Sequence, residues 1–506
     1  MAKLDQVLGL ISVLERRGEN MVFVVSAFKG VTNTLIAAMD ALNGLDYSQE
    51  DIQRAFAKTH EIHTAIIEKF FHDEFKEQAK QTYATAFDVL TQSLLTHKKV
   101  TRILMPVDGS FQMRDQVIGF GERMAGALLN LYCAQEGKQS KFVDDVRCDK
   151  DAMGNGVISN RKLQKGVQSG IKTALNGTKA DIIRILGGHV AGTPRGIAID
   201  EGRGYSDITA ADAAIALQEK GEAVKATRFW KDVDGVYTTN PKELDLTKNK
   251  PVLHRDISAE EALENAAAGS GLLNVRALSR ALEHDLDLQI RNINKADQDV
   301  GTNITRGDVL THHAFKTIVV NPNIDSLTVN IPEMADQYGF AEAIAKAFNK
   351  HGISLDGIFS EGTSITFSVP MPQDASDMEA YREKIRSVQA ELKEVEVNGE
   401  RYAAPQPPTW NKGRLACISI IGKELRDQVG ILSMISGVLS AWGINIECVS
   451  HGSSQTRVSF LIDQGKSTMA VQLLHSIFVD NDPKVKKQFV ERQTERLQAL
   501  TRTFQR

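Results

Sequence analysis

Cysteine is scarce in this chain: four residues in 506, at Cys133, Cys148, Cys417 and Cys448, with no C-x-x-C pair among them. A reducing compartment fits this better than a disulfide framework does. Long apolar runs are missing too, so no segment approaches the roughly 20 residues of a membrane-spanning helix. Neither charge sign dominates, since 60 basic residues face 64 acidic ones and the formal net charge is −4. A surface built to neutralise the phosphates of DNA or RNA is therefore not expected. The opening segment is no secretory signal, because Asp5 interrupts it and no small-residue cleavage site follows. These absences point to a cytoplasmic protein without nucleic-acid or membrane partners. What is present is an ordinary globular composition, 42% hydrophobic and 25% charged, over a length that suits about three domains.

Leu4, Val7, Leu8, Ile11 and Leu14 recur at helical spacing, so the chain begins on an amphipathic helix and then enters a short strand at 21–25. Residues 34–100 read as a helical layer broken at Gly44. His60 and His63 fall three apart there; without further ligands, a helix face explains them better than a metal does. From 117 to 305, strands and helices alternate with glycine-rich joins. The strand at 181–186 runs into Gly187-Gly188. The loop G-R-G-Y-S-D (202–207) opens the helix 208–217, and the strand 227–230 ends at K-D-V-D-G (231–235). This is the signature of an α/β domain with a largely parallel sheet, whose ligands sit at the carboxyl ends of strands. Residues 316–372 and 415–476 each read strand, helix, strand, strand, helix, an internal repeat joined across Pro405, Pro407 and Pro408. The basic segment 481–506 reads as a solvated terminal helix.

No Walker A sequence and no strict G-x-G-x-x-G occurs. The loop 202–207 nevertheless directs backbone N–H groups and a helix dipole outward, a geometry suited to phosphate. Four stretches, V-V-S-A-F-K-G-V-T-N (24–33), G-F-G-E-R-M-A (119–125), G-R-G-Y-S-D-I-T-A-A (202–211) and W-K-D-V-D-G-V-Y-T-T-N-P-K (230–242), stand in the order typical of aspartate kinases. The segment 288–302 is similar to that family's closing kinase segment, and the paired repeats, including V-S-H-G-S-S-Q-T-R-V-S-F (449–460), resemble its ACT domains. The resemblance covers nearly the whole chain.

It implies an amino-acid-kinase three-layer αβα sandwich over 1–308, apparently short of its first strand. Two α+β, ferredoxin-like ACT domains at 315–400 and 410–480 follow, then the 481–506 tail. It implies transfer of the ATP γ-phosphoryl group to the side-chain carboxylate of L-aspartate, the first step toward lysine, threonine and methionine, with Mg2+ carried mainly on the ATP phosphates. The substrate-binding positions fall on Ser26, Thr32, Glu122, Arg203 and Ser206. Arg203 can hold a carboxylate in a bidentate fork, and Glu122 can take the ammonium. Asp207, with Arg203, is the expected catalytic residue, organising the phosphate-binding groups; as a plain alternative it caps the helix. Lys231, Asp232, Tyr237 and Lys242 match the nucleotide-binding stretch. Met334, Gly339, Phe340 and Asp356 match the effector loop, with lysine or threonine as effector. The ACT pair implies a homodimer or higher homo-oligomer.

The chain also departs from the family. The K-F-G-G-T-S strand is absent, and Met1 stands where that motif would end. A second family lysine is replaced by Gly271, while Lys29 offers a compensating charge. Losing a central strand would leave edges in need of pairing. Either the natural start lies upstream, which is favoured, or the chain is a weak or inactive amino-acid-sensing regulatory subunit.

Overall fold

The computed structural model describes residues 4–42, 47–104, 108–144, 146–154, 159–202, 204–309, 315–335, 337–372, 375–410, 415–451 and 456–504. Gly44 lies outside them. The chain packs as two units, Met1–Gly235 with Leu272–Thr305, and Val236–Gly271 with Arg306–Arg506.

In the first unit, α1 (Leu4–Arg16) buries Leu4, Leu10, Ile11 and Leu14 on one stripe, as its periodicity predicts, and leads into β1 (Val22–Val25). The helical layer follows as α2 (Val31–Leu42), α3 (Gln49–Ala55), α4 (Ala57–Phe70) and α5 (Asp73–Leu104). A reciprocal capping box between Ser48 and Asp51 starts α3. His63 Nδ1 donates to the Thr59 carbonyl and the ring stacks on Tyr83, and His60 bonds the Tyr83 hydroxyl at 2.7 Å. Both histidines are thus built into the packing of this layer, and no cluster of three metal-ligating side chains occurs among the described residues.

The alternating part runs α6 (Asp108–Gln135), β2 (Ser140–Val143), α7 (Lys150–Met153), α8 (Asn160–Leu175), β3 (Ile183–Gly187), α9 (Ile197–Asp200), α10 (Tyr205–Glu219) and β4 (Thr227–Lys231). Next come β5 (Asp256–Ser258) and α11 (Ala259–Ala267), which belong to the second unit. The chain then returns with α12 (Val275–Glu283), β6 (Leu288–Asn292) and β7 (Gly301–Thr305).

The strands of this unit do not form one sheet. β1, β3 and β2 make a parallel ladder in that order, while β4 pairs parallel to β6, which pairs antiparallel to β7. β1 ends the first ladder and β4 the second. A slot of about 940 Å3 lies along both edges, lined by Val22–Val25 on one side and Thr227–Lys231 on the other. Leu10 and Leu14 of α1 and Ala213 and Ala214 of α10 also line it.

The second unit contains β8 (Thr317–Asn330), α13 (Phe340–Lys350), β9 (Gly357–Ser360), β10 (Ser364–Pro370), α14 (Ala375–Glu391), β11 (Glu394–Val397), β12 (Glu400–Ala403) and β13 (Thr409–Trp410). It continues with β14 (Leu415–Ile421), α15 (Ile431–Ala441), β15 (Ile446–His451), β16 (Arg457–Asp463), α16 (Ser467–Phe478) and α17 (Pro483–Phe504). The two copies of the repeat are therefore real. They share one sheet in the order β15-β16-β14-β8-β10-β9, because β14 of the second copy pairs antiparallel with β8 of the first. Each copy keeps its own core: Phe340, Phe348 and Phe367 in one, Ile435, Val438 and Phe460 in the other.

Two features differ from the sequence reading. The tail is the expected helix and is mostly exposed, but not solvated all round: Val485 and Phe489 of α17 pack on the second core, Arg492 stacks over Trp442 and Arg496 bonds the Ser440 hydroxyl at 2.8 Å. Basic composition hid an apolar stripe. The other is the reach of residues 236–271 into the second unit. There the fully buried Lys316 ammonium meets Glu261 at 2.7 Å, and Glu261 also closes a capping box with Ser258 at the start of α11.

Candidate active site

The glycine-rich joins place the site at the carboxyl ends of β1, β3 and β4. β3 ends at Gly187, and the chain passes through Gly188 so closely to α10 that a Cβ at Gly188 would stand 2.6 Å from the Ser206 Cβ. Only glycine fits there, and the fit brings Ser206 against Glu122 of α6. The Ser206 hydroxyl donates to Glu122 Oε1 at 2.7 Å. Glu122 is buried with no lysine or arginine paired to it among the described residues, and the Tyr205 side chain and the His189 backbone also face its carboxylate. Burial pushes the Glu122 carboxyl up to about 7, against the opposing pull of Ser206, His189 and Tyr205. The Tyr205 hydroxyl is itself pushed up by burial and by the Glu122 charge. His189 Nε2 in turn lies 3.1 Å from Asp115 Oδ2, and Asp115 Oδ1 accepts from the Ile197 N–H.

A second group stands at the start of α10. Gly204 occupies the N-cap position with φ +80°, a conformation that disfavours side chains, and Asp207 lies in the first turn. Asp207 is thus within the helix rather than its cap. The Lys231 ammonium, at the end of β4, donates to both Asp207 oxygens at 3.1 and 3.2 Å. Ser26, at the end of β1, together with Ser206, Asp207, Lys231 and Asp232, lines the slot described above. Thr32 sits half-buried in the first turn of α2. Arg203 lies outside the described residues.

Of the nucleotide-stretch residues, Lys231 and Asp232 belong to the first unit, Tyr237 and Lys242 to the second. Tyr237 forms an isolated bridge with Leu253, and Lys242 lies in a single 3-10 turn capped by Asn240. Asp234 accepts from Asn292 Nδ2 at 2.6 Å and from Lys295 Nζ at 2.8 Å. Sequence reading missed Lys295, His189 and Tyr205. Only the adjacency of His189 and Tyr205 to the glycine motifs hinted at them.

The effector-loop residues fall on the first repeat. Gly339 is the N-cap of α13 with φ +104°, and Met334 lies in the preceding 3-10 turn. Phe340 is buried and packs edge-on to Tyr402, with ring centroids 5.0 Å apart. Asp356 is exposed immediately before β9, its N–H bonded to the Ser368 carbonyl.

The profile of the amino acid kinase family matches residues 2–292, and an ACT domain profile matches residues 418–478. The chain belongs to the amino acid kinase family. Within it, the chain is of the aspartokinase type, a kinase domain joined to ACT repeats. It is 26% identical over 390 residues to aspartokinase 2, chloroplastic, of Arabidopsis thaliana, covering 76% of this chain and 68% of that protein. To the aspartokinase of Saccharomyces cerevisiae it is 23% identical over 412 residues, covering 77% and 73%. The solved structure of Escherichia coli aspartokinase III in complex with aspartate and ADP superposes with a TM-score of 0.67 at 20% identity. That match covers 94% of this chain and 95% of the other. The fold class read from the sequence is the one found. No described helix is long and apolar enough to cross a membrane.

Proposed function

We propose that the chain is an ATP-dependent aspartate kinase that forms 4-phospho-L-aspartate under feedback control by an amino acid. The observation that carries this reading is Glu122. A buried carboxylate held by Ser206, with no lysine or arginine paired to it among the described residues, is suited to receive an ammonium group. The α-ammonium of aspartate supplies the missing counter-charge and pulls the Glu122 carboxyl back into its ionised form. Arg203 is assigned the substrate carboxylate, and Ser26 and Thr32 the remaining polar contacts.

Two anions must meet for the transfer, so charge neutralisation and alignment dominate the chemistry. Lys231 brings a cation to the slot opening, and Asp207 fixes where that cation points. Asp232, Tyr237 and Lys242 are assigned to the nucleotide. The positive end of α10 adds field without needing a side chain. Mg2+ is assigned to the ATP phosphates. When bound, it neutralises phosphate charge.

The ACT pair is assigned to feedback, with the Met334–Phe340 loop and Asp356 holding the effector. Lysine is the first choice because Asp356 offers an exposed carboxylate, and the aspartokinase III of Escherichia coli has also been solved in complex with lysine and aspartate. Threonine is the second. Assembly as a homodimer or higher homo-oligomer through the ACT domains belongs to the same proposal, as do the 1–308, 315–400 and 410–480 domain limits.

The test is ATP-dependent hydroxamate formation with L-aspartate, run beside L-glutamate. Turnover with aspartate alone is expected. Turnover with glutamate alone, or none with either, would overturn the assignment.

A further inference from the structure

The loop that opens α10 carries little constraint of its own. Gly202 and Gly204 both stand at positive φ, +79° and +80°, and glycine leaves such a conformation at little cost. Yet the turn that follows must hold Ser206 on Glu122 at 2.7 Å and Asp207 on Lys231 at 3.1 Å. The constraint comes from outside the loop.

It comes from α12, whose Arg276 and Arg280 are four residues apart and so share one face. The buried Arg280 guanidinium donates through Nη2 to Glu201 Oε1 and through Nη1 to Asp212 Oδ2, both at 2.5 Å. Arg276 Nη1 donates to the other Glu201 oxygen at 3.2 Å and to the Asp200 carbonyl at 3.0 Å. Gln168 of α8 donates to the other Asp212 oxygen at 2.8 Å. All four oxygens of two buried carboxylates are thus engaged, and two guanidinium charges balance them. Asn274, the N-cap of α12, stands against the same loop: a Cβ on Gly204 would lie 3.3 Å from its Nδ2.

The placement of these charges is what matters. Glu201 immediately precedes the loop, and Asp212 lies about two turns into α10. One guanidinium therefore bridges both ends of the segment that carries Ser206 and Asp207. Its planar fork fixes the distance and angle between the two carboxylates in a way a single ammonium cannot. Apolar residues of equal volume commonly fold as well as a buried ion cluster does, so stability alone does not account for it. We propose that Arg280, assisted by Arg276, is the positioning residue of this site. It clamps Glu201 to Asp212 and so sets where Ser206 and Asp207 stand. The inference deepens the reading of the site given above and rests on it for its kinetic consequences.

The experiment compares the full chain with two variants. Arg280→Lys keeps the charge but cannot span both carboxylates, and Arg280→Met/Asp212→Leu puts apolar packing in place of the pair. Melting temperature, hydrogen exchange over residues 207–212, kcat, and KM for aspartate and for ATP are read on each. In both variants exchange over 207–212 is expected to be at least tenfold faster, with exchange over 183–187 unchanged. The value of kcat is expected to fall at least 30-fold and KM for aspartate to rise at least tenfold. KM for ATP should move less than threefold, because Lys231 and Asp232 stand outside the clamped segment. The double variant is expected to show all this while melting within a few degrees of the parent. Parent-like exchange and kinetics in a stable double variant, or losses that simply follow melting temperature, overturn the proposal. Should Arg280→Lys fail to fold, Arg276→Gln, at the exposed rim of the clamp, is read in its place, with a threefold rise in KM for aspartate expected and no rise overturning the proposal. Exchange needs no turnover: a parent chain inactive toward aspartate refutes the proposed reaction, and the exchange result then decides the clamp by itself.

Discussion

The Lys231 ammonium and the Asp207 carboxylate meet across the carboxyl ends of β4 and α10's first turn, at 3.1 and 3.2 Å to the two oxygens. Both side chains remain about a quarter exposed, at 27% and 22%. Such a pair contributes at most about 1 kcal/mol to folding, so its placement speaks for function. Lys231→Met is expected to lower kcat/KM for ATP by about 100- to 1,000-fold, while shifting the melting temperature by no more than a few degrees. Hydroxamate turnover and thermal denaturation measured on the same preparation check both halves.

Glu122 sets a pH dependence. Its carboxyl is raised to about 7 in the folded state, above its ordinary value near 4.5. The folded state therefore holds this proton more tightly than the unfolded chain. The stability it contributes is full below about 4.5 and is lost as pH rises to about 7. Asp212, also raised to about 7 by burial, titrates in the same window. The diagnostic is thus the difference between the parent and Glu122→Gln. The parent is expected to lose more stability between pH 5 and 7.5, and aspartate is expected to bind more tightly as Glu122 ionises. Denaturation midpoints and aspartate titrations across that range test the sign.

Gly188 tests the approach of β3 to α10. An added methyl group would overlap Ser206, so Gly188→Ala must displace the Ser206 hydroxyl from Glu122. Overpacking of this kind costs roughly 1–3 kcal/mol. A rise in KM for aspartate larger than the rise for ATP is the expected kinetic signature.

Lys316 and Glu261 are both wholly buried and hold residues 236–271 within the second unit. Lys316→Met leaves a carboxylate without its cation and is expected to destabilise by about 3–5 kcal/mol. Replacing both by apolar residues should recover much of that loss. Urea denaturation of the single and double variants provides the comparison.

Asp356 tests the feedback assignment. Asp356→Ala is expected to raise the lysine concentration for half-maximal inhibition at least tenfold. Titration of lysine and threonine against turnover, in parent and variant, measures it.

The sequence made some of this visible and hid the rest, for physical reasons. Apolar period located α1 and β1, and glycine joins located the ends of β3 and the start of α10. The repeat was legible because both copies carry the same helix, turn and strand order. Its fusion into one sheet was not, since nothing local in Leu415–Ile421 says which strand it pairs with. Glu122 and Ser206 were both expected, but their bond spans 84 positions and depends on the bare backbone at Gly188. Lys231 was expected beside nucleotide, not locked to Asp207. The tail misled because its charges outnumber Val485 and Phe489, which do the packing.

β8 carries a consequence for cooperativity. Its first half, from Thr317 to Ile324, pairs with β14, and its second half, from Ile324 to Asn330, pairs with β10. One uninterrupted strand is thus spliced into both repeats. Neither copy can melt without stripping hydrogen bonds from the other, so the pair should unfold in a single step. An amino acid bound to the first copy would then stiffen the second through the peptide backbone itself.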